Sequence, residues 1–299
     1  KSLMETALAK PAAKLSPRTS NLRKFLRVFL ARKAVVAALI ILLLIVLCAI
    51  FAPVLSPYDP YEQDLSNTLQ LSSSAHLLGT DLFGRDILSR IIYGTRASLA
   101  VGIVSVAIAG GIGMSLGLIA GYFRGIVDGF IMRVMDALMA IPPIILALSV
   151  GAALGGGLAN VMISLGVALI PNYARLMRGQ VLSVRQADYV VAAEISGASN
   201  LRNMLVHVLP NCLSPLIVLI TLNLGVAILA EAGLSFLGLG IAPPGAAWGS
   251  MINDGYKYLS TNPLLSFAPG IAVMITVLAF NLVGDALRDA LDPRLRGTT

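Results

Sequence analysis

Residues 137–174 read ALMAIPPIILALSVGAALGGGLANVMISLGVALIPNYA, and none of them is charged. A helix crossing a bilayer needs roughly 20 predominantly apolar residues. This stretch is long enough for parts of two such helices, with GAALGGG, Gly151 to Gly157, as the turn between them. Working outward, uncharged stretches recur over residues 34–58, 97–123, 203–230 and 258–284. The pattern predicts an all-α polytopic membrane protein with six spans, at 34–55, 97–121, 129–150, 158–175, 212–235 and 264–284.

Composition agrees. Of 299 residues, 57% are hydrophobic and only 12% charged, about half the charge of a soluble domain. The formal net charge of +7 belongs to the flanks of the spans rather than to a nucleic-acid footprint, and no nucleic-acid partner is expected. On one face lie eighteen Lys and Arg, nine of them before the first span; on the other lie only Arg85, Arg90, Arg96 and Lys257. That asymmetry puts both termini in the cytoplasm.

The residues give no sign of chemistry carried by the chain itself. There is no GxxxxGK[ST] phosphate loop. The only histidines, His76 and His207, fall on opposite faces and cannot share a metal. Cys48 and Cys212 lie inside apolar runs and read as small fillers. No catalytic, cofactor or metal residue is expected, and the chain is read as a non-enzyme.

Within the spans, Pro142–Pro143 breaks the third, leaving backbone groups that neighbouring helices or water must satisfy. Gly113 and Gly117 form a GxxxG in the second, a spacing that lets helices approach closely. Arg133 and Asp136, three residues apart, are expected to pair along one helix face. Glu231 lies within the fifth-span region, where a carboxylate must face protein or a water-filled cavity. These three residues are the candidates for core polar groups or a gate.

The outer loop 56–96 ends in a short amphipathic segment around Asp86 to Ile92, with Gly79, Thr80 and Asp81 as its turn and cap. In the other outer loop, Trp248 and Tyr256 are expected to lie at headgroup level.

The cytoplasmic segment ends DYVVAAEISGASNLRNMLVHVLPN, residues 188–211. A short helix at 188–196, a turn at Gly197 and a second segment at 201–208 are expected, with Pro210 starting or bending the fifth span. This block resembles the conserved cytoplasmic loop of membrane subunits of ATP-driven, binding-protein-dependent importers. In that register Val191-Ala192-Ala193 stands at the family's Glu-Ala-Ala, followed by Gly197 and Leu209-Pro210. Val191 replaces the family's Glu, His207 its apolar residue, and Glu194 lies three positions on. The blocks GTDLFGRDILSRIIYGTRASL (79–99), EAGLSFLGLGIAPPGAAWG (231–249) and NLVGDALRDALDP (281–293) are similar to the dipeptide, oligopeptide and nickel branch, second-permease side.

The resemblance implies a type I ABC importer permease fold in a bacterial cytoplasmic (inner) membrane. It implies as partners a homologous permease (a heterodimer), two ATP-binding subunits or one fused ATPase, and an extracytoplasmic solute-binding protein. ATP and Mg would sit on the partner subunits and no cofactor on this chain. Short peptides are the implied substrate, with nickel or another small solute as the alternative and an ATPase-independent secondary transporter as the rival class. Asp188, Ala192, Ala193, Glu194, Gly197, Leu209 and Pro210 would couple to the ATPase. The resulting division is a basic segment 1–33, the first helix 34–55, the external loop 56–96, a permease core 97–284 with coupling loop 176–211, and a tail 285–299. In the tail, Asp285, Arg288, Asp289 and Asp292 share a helical face before Pro293. That face reads either as a solvated helix end or as a surface packed on the coupling loop or the ATPase.

Overall fold

The computed structural model describes residues 25–291, and among these the regular structure is helical apart from one isolated bridge, Thr80 to Asp86. The helices used below are α1 (Lys33–Ile50), α2 (Ile87–Phe123), α3 (Gly125–Met139), α4 (Pro143–Leu154), α5 (Leu158–Val184), α6 (Asp188–Ile195), α7 (Leu209–Phe236), α8 (Trp248–Tyr256) and α9 (Leu264–Leu291). Most of the basic N-terminal segment, together with Asp292 and Pro293 of the tail, lies outside the described residues.

Among the described residues four helices are long and apolar enough to cross a membrane: α1, α2, α7 with the turns that precede it from Asn200, and α9. The α3–α4 pair, bent by 90°, adds at most one broken span. Length and apolarity therefore support four to five spans where the sequence predicted six. The remaining helix is α5, 27 residues long but carrying Asn160, Asn172, Arg175 and Arg178. It packs against α2, α4 and α7, so much of its surface meets protein and has no need of a lipid-compatible composition.

The central pairing is α2 against α5, and glycine sets its closeness. A Cβ on Gly113 would lie 2.6 Å from the carbonyl oxygen of Ile170, and one on Gly117 2.3 Å from that of Ala174. Tyr173, Ala174, Met177 and Val181 of α5 fill this seam and are fully buried. The GxxxG is thus an intrachain contact. Helices α7 and α9 close the bundle, and α1 lies on α9 with Ile40, Leu43, Leu44 and Ile50 turned outward.

Three helix boundaries differ from the sequence reading for local reasons. The span predicted at 129–150 is two helices, because Pro142 and Pro143 remove backbone donors and push the residue before them out of the α region. The amphipathic segment at Asp86 is continuous with the second span, so α2 runs unbroken for 37 residues. Its cap is Asp86, whose Oδ2 accepts from Ser89 N at 2.8 Å and Ser89 Oγ at 2.7 Å, while Asp81 serves elsewhere. The fourth predicted span continues from 175 to Val184, which carries Arg175 and Arg178 inside the helix. Of the turn predicted at 151–157, residues 151–154 belong to α4 and the turn is confined to Gly155–Gly157, all three at positive φ.

Candidate functional site

Helix α6 occupies the predicted short helix, Asp188–Ile195. Asp188 lies in its first turn, where a negative charge complements the helix dipole. The helix ends in a Schellman motif: Gly197 N donates to Glu194 O at 3.0 Å and Ala198 N to Ala193 O at 3.0 Å. That motif requires a left-handed residue, and Gly197 has φ +84°. A Cβ at Gly197 would meet nothing within 4 Å, so only its dihedral demands glycine within this chain.

Val190 is the one buried residue of α6; it lies fully buried in a cluster with Tyr122, Val181, Met204 and Val208. The rest of the helix projects outward. Asp188, Ala192 and Glu194 are exposed and Ala193 half-buried. Apolar side chains are exposed there too, with Ile195 at 83%, Leu201 at 65% and Val206 at 56%.

Beyond Gly197 the chain does not break again. Asn200–Arg202 is one α-turn, capped by Ser199; Asn203–Val208 is π-helical; and α7 follows directly with Pro210 in its first turn. Pro210 thus stands at the start of α7, as expected, although helical turns from Asn200 run into that helix without a break. The π-turn widens the ring of the preceding turn, where a proline would otherwise strike the carbonyl four residues back. Asn203, at the start of this joint, is fully buried and its side-chain amide has no hydrogen-bond partner among the described residues.

The loop is fastened to the end of α2 by residues the sequence reading passed over. The Arg185 guanidinium lies 5.0 Å over the Tyr122 ring and reaches Glu194 Oε1 at 3.8 Å. Tyr122 Oη donates to Asn200 Oδ1 at 3.2 Å. Glu194, out of the family's register, thus has a tethering partner in this chain.

Two acidic residues of α3 hold the adjacent half of α5. Arg178 donates to Asp128 from Nε at 2.5 Å and Nη2 at 2.6 Å, and Arg175 to Asp136 at 2.6 Å. The expected Arg133–Asp136 pair does not form; Arg133 is exposed. The 90° break lets α3 lie across α5, and Arg175 reaches Asp136 where a same-helix neighbour does not. The signal available in sequence was a pair of acids facing a pair of arginines on the next segment of like sidedness.

Glu231 is buried, accepting from Ser235 Oγ at 2.6 Å and Ser98 Oγ at 3.4 Å, which joins α7 to α2. In the tail, Asp289 pairs with Arg32 at 3.0 Å, while Asp285 and Arg288 are exposed. Among the described residues the tail meets the start of α1 through this pair.

At the far end of α2, 37 residues and so about 55 Å from the 188–211 segment, the loop before α2 and the loop before α8 clip together. Arg85 Nε donates to Asp81 Oδ2 at 2.7 Å. Arg90 donates to the carbonyls of Pro60 at 3.0 Å, Pro244 at 3.3 Å and Gly245 at 3.2 Å. Trp248 is buried, donating from Nε1 to Ile91 O at 3.0 Å, and is not a headgroup anchor. Two of the sequence blocks, 79–99 and 231–249, therefore meet as one assembly.

Residues 113–297 match the family described as the binding-protein-dependent transport system inner membrane component. The chain belongs to that family. Residues 20–72 match the N-terminal TM domain of oligopeptide transport permease C. The glutathione transport system permease GsiD of Pectobacterium atrosepticum is 44% identical over 92% of this chain and 91% of its own. The di/tripeptide permease DppC of Pseudomonas aeruginosa is 44% identical over 93% of each, and the dipeptide permease DppC of Haemophilus influenzae 42% identical over 94% and 97%. The MetNI methionine ABC transporter, in an inward-facing form, contains a chain of the same fold, with a TM-score of 0.55 at 20% identity over 68% of this chain and 96% of that one. The protein is accordingly a membrane-embedded permease component of a binding-protein-dependent transport system, a transport subunit and not an enzyme.

Proposed function

We propose that this chain is one permease half of an ATP-driven importer of short peptides, placed in the bacterial inner membrane with both termini in the cytoplasm. It pairs with a homologous permease. ATP and Mg reside on two ATP-binding subunits or one fused ATPase, and an extracytoplasmic binding protein delivers solute at the Arg85–Trp248 end. The observation that carries the reading is α6, a short helix with one buried residue, Val190, and one ion pair, Glu194 with Arg185, to hold it to the bundle, presenting Ile195 outward. A helix so exposed and so lightly anchored is suited to sit in a cleft of an ATPase. The relatives' names, covering dipeptides, di/tripeptides and glutathione, support peptides as cargo.

Gly197→Trp tests the docking surface. The left-handed backbone penalises it by about 1–2 kcal/mol, and no atom of this chain obstructs the side chain. Loss of ATP-coupled uptake with normal insertion is expected; intact uptake would sink the assignment. Single cysteines at Ile195, Leu71 and Tyr256, all exposed, test the orientation. Ile195 should label from the cytoplasm and the other two from outside. Uptake in proteoliposomes should need ATP and survive collapse of the proton gradient. A binding protein that takes nickel and ignores dipeptides would move the substrate to nickel and leave the ATP-driven reading standing.

A further inference from the structure

Beside the outer clasp lies a cleft of about 290 Å³. The recess behind Pro143 and the cleft between Leu176, Val218 and Leu222 are apolar. This one is lined by Arg85, Asp254, Asn253 and Ser250, with glycine backbone from Gly155–Gly157 and Gly245 opposite. Arg85 is 1% exposed, yet among the described residues its side chain donates only from Nε, to Asp81. Its two terminal nitrogens hold no hydrogen bond. Arg90, by contrast, donates from both terminal nitrogens to three carbonyls and lies 3.5 Å from Asp81 through Nε. Asp254 is half-buried and makes no hydrogen bond or close ion pair among the described residues. Burial holds its carboxyl above the ordinary range, offset at longer distance by Arg90 and Arg85.

Buried charges whose task is structural close on each other or are fully hydrogen-bonded. Here Arg85, though paired with Asp81 through Nε and lying 4.6 Å over the Phe83 ring, keeps two terminal nitrogens without a hydrogen bond, and Asp254 keeps an unbonded carboxylate, in one small cleft. We propose that this cleft binds the zwitterionic backbone of a short peptide at the outer mouth, its carboxylate against Arg85 and its ammonium against Asp254. The proposal rests on the peptide reading above and adds a site to it. The volume is near the lower end for ligand pockets, which limits the occupant to about a dipeptide. Such a site would check for two free termini after the binding protein lets go.

The test uses the assembled transporter in nanodiscs without its binding protein, probed by saturation-transfer NMR with Ala-Ala, N-acetyl-Ala-Ala and Ala-Ala amide. Wild type should bind Ala-Ala with a dissociation constant on the order of 1 mM, and each blocked peptide about tenfold more weakly. Asp254→Asn should reduce Ala-Ala to the level of its N-acetyl form. Ala242→Trp, on the exposed rim, should exclude all three without touching either charge. Ala-Ala binding unchanged in both variants would overturn the site, as would no binding by a complex that performs ATP-driven Ala-Ala uptake. A complex that takes up no peptide at all would overturn the peptide reading, and the site with it.

Discussion

The hydroxyl of Tyr122, in the last turn of α2, donates to Asn200 Oδ1 at 3.2 Å. Through this bond, and through Arg185 lying over the same ring, the longest helix of the bundle is joined to the coupling loop. Tyr122→Phe should remove about 1 kcal/mol of that link while keeping the ring. Tyr122→Ala also opens the cluster around Val190 and should cost about 3–5 kcal/mol. The expected readout is graded: transport per ATP hydrolysed falls slightly in the first and severely in the second, with insertion retained. Equal coupling in all three forms would remove Tyr122 from the path between ATPase and bundle.

Gly117 and Gly111 lie on the same helix and should respond in opposite ways. A Cβ at Gly117 collides with the Ala174 carbonyl at 2.3 Å, whereas at Gly111 it meets nothing within 4 Å. Gly117→Ala should force α2 and α5 apart and destabilise by about 1–3 kcal/mol. Gly111→Ala should be neutral or stabilise by about 0.5–1 kcal/mol. Thermal unfolding of the detergent-purified complex measures both, and similar melting temperatures would mean that the seam is looser than described.

Glu231 ties Ser235 and Ser98 together. Glu231→Gln retains an acceptor and should leave ATP-driven uptake in place. Glu231→Leu strands both hydroxyls and should cost about 1–3 kcal/mol of stability. If Glu231→Gln assembles normally but stops uptake, the carboxylate handles protons and its role is not structural.

The tail ion pair, Arg32 with Asp289, has side chains 70% and 37% exposed. A surface pair of this kind contributes about 0–1 kcal/mol, so Asp289→Ala should alter stability little and lose its small effect in high salt. Arg288 is exposed, and Arg288→Ala should assemble and transport normally. Failure of Arg288→Ala to recruit the ATPase would show that this face is covered in the complex.

Much of the plan could be read from the residues alone. Uncharged length and low charge content gave the membrane class, a glycine-rich turn was legible at 151–157 and falls at its last three glycines, and α6 with its Gly197 stop followed from the helix-to-glycine pattern. These features depend on hydropathy over one segment or on dihedral preference within one turn, both local properties. What only the tertiary structure decided was which faces meet. Asp136 chose Arg175 on another helix over Arg133 on its own, because the 90° break at Pro142–Pro143 laid α3 across α5. Trp248 went inside because Gly94 left room for its ring and Ile91 offered a carbonyl. Helix α5 carries Asn160, Asn172, Arg175 and Arg178 because protein, not lipid, surrounds much of it. Arg85, Arg90 and Asp254 came together from segments more than 150 residues apart. Such pairings are set by the packing of whole helices, and no spacing along the chain encodes them.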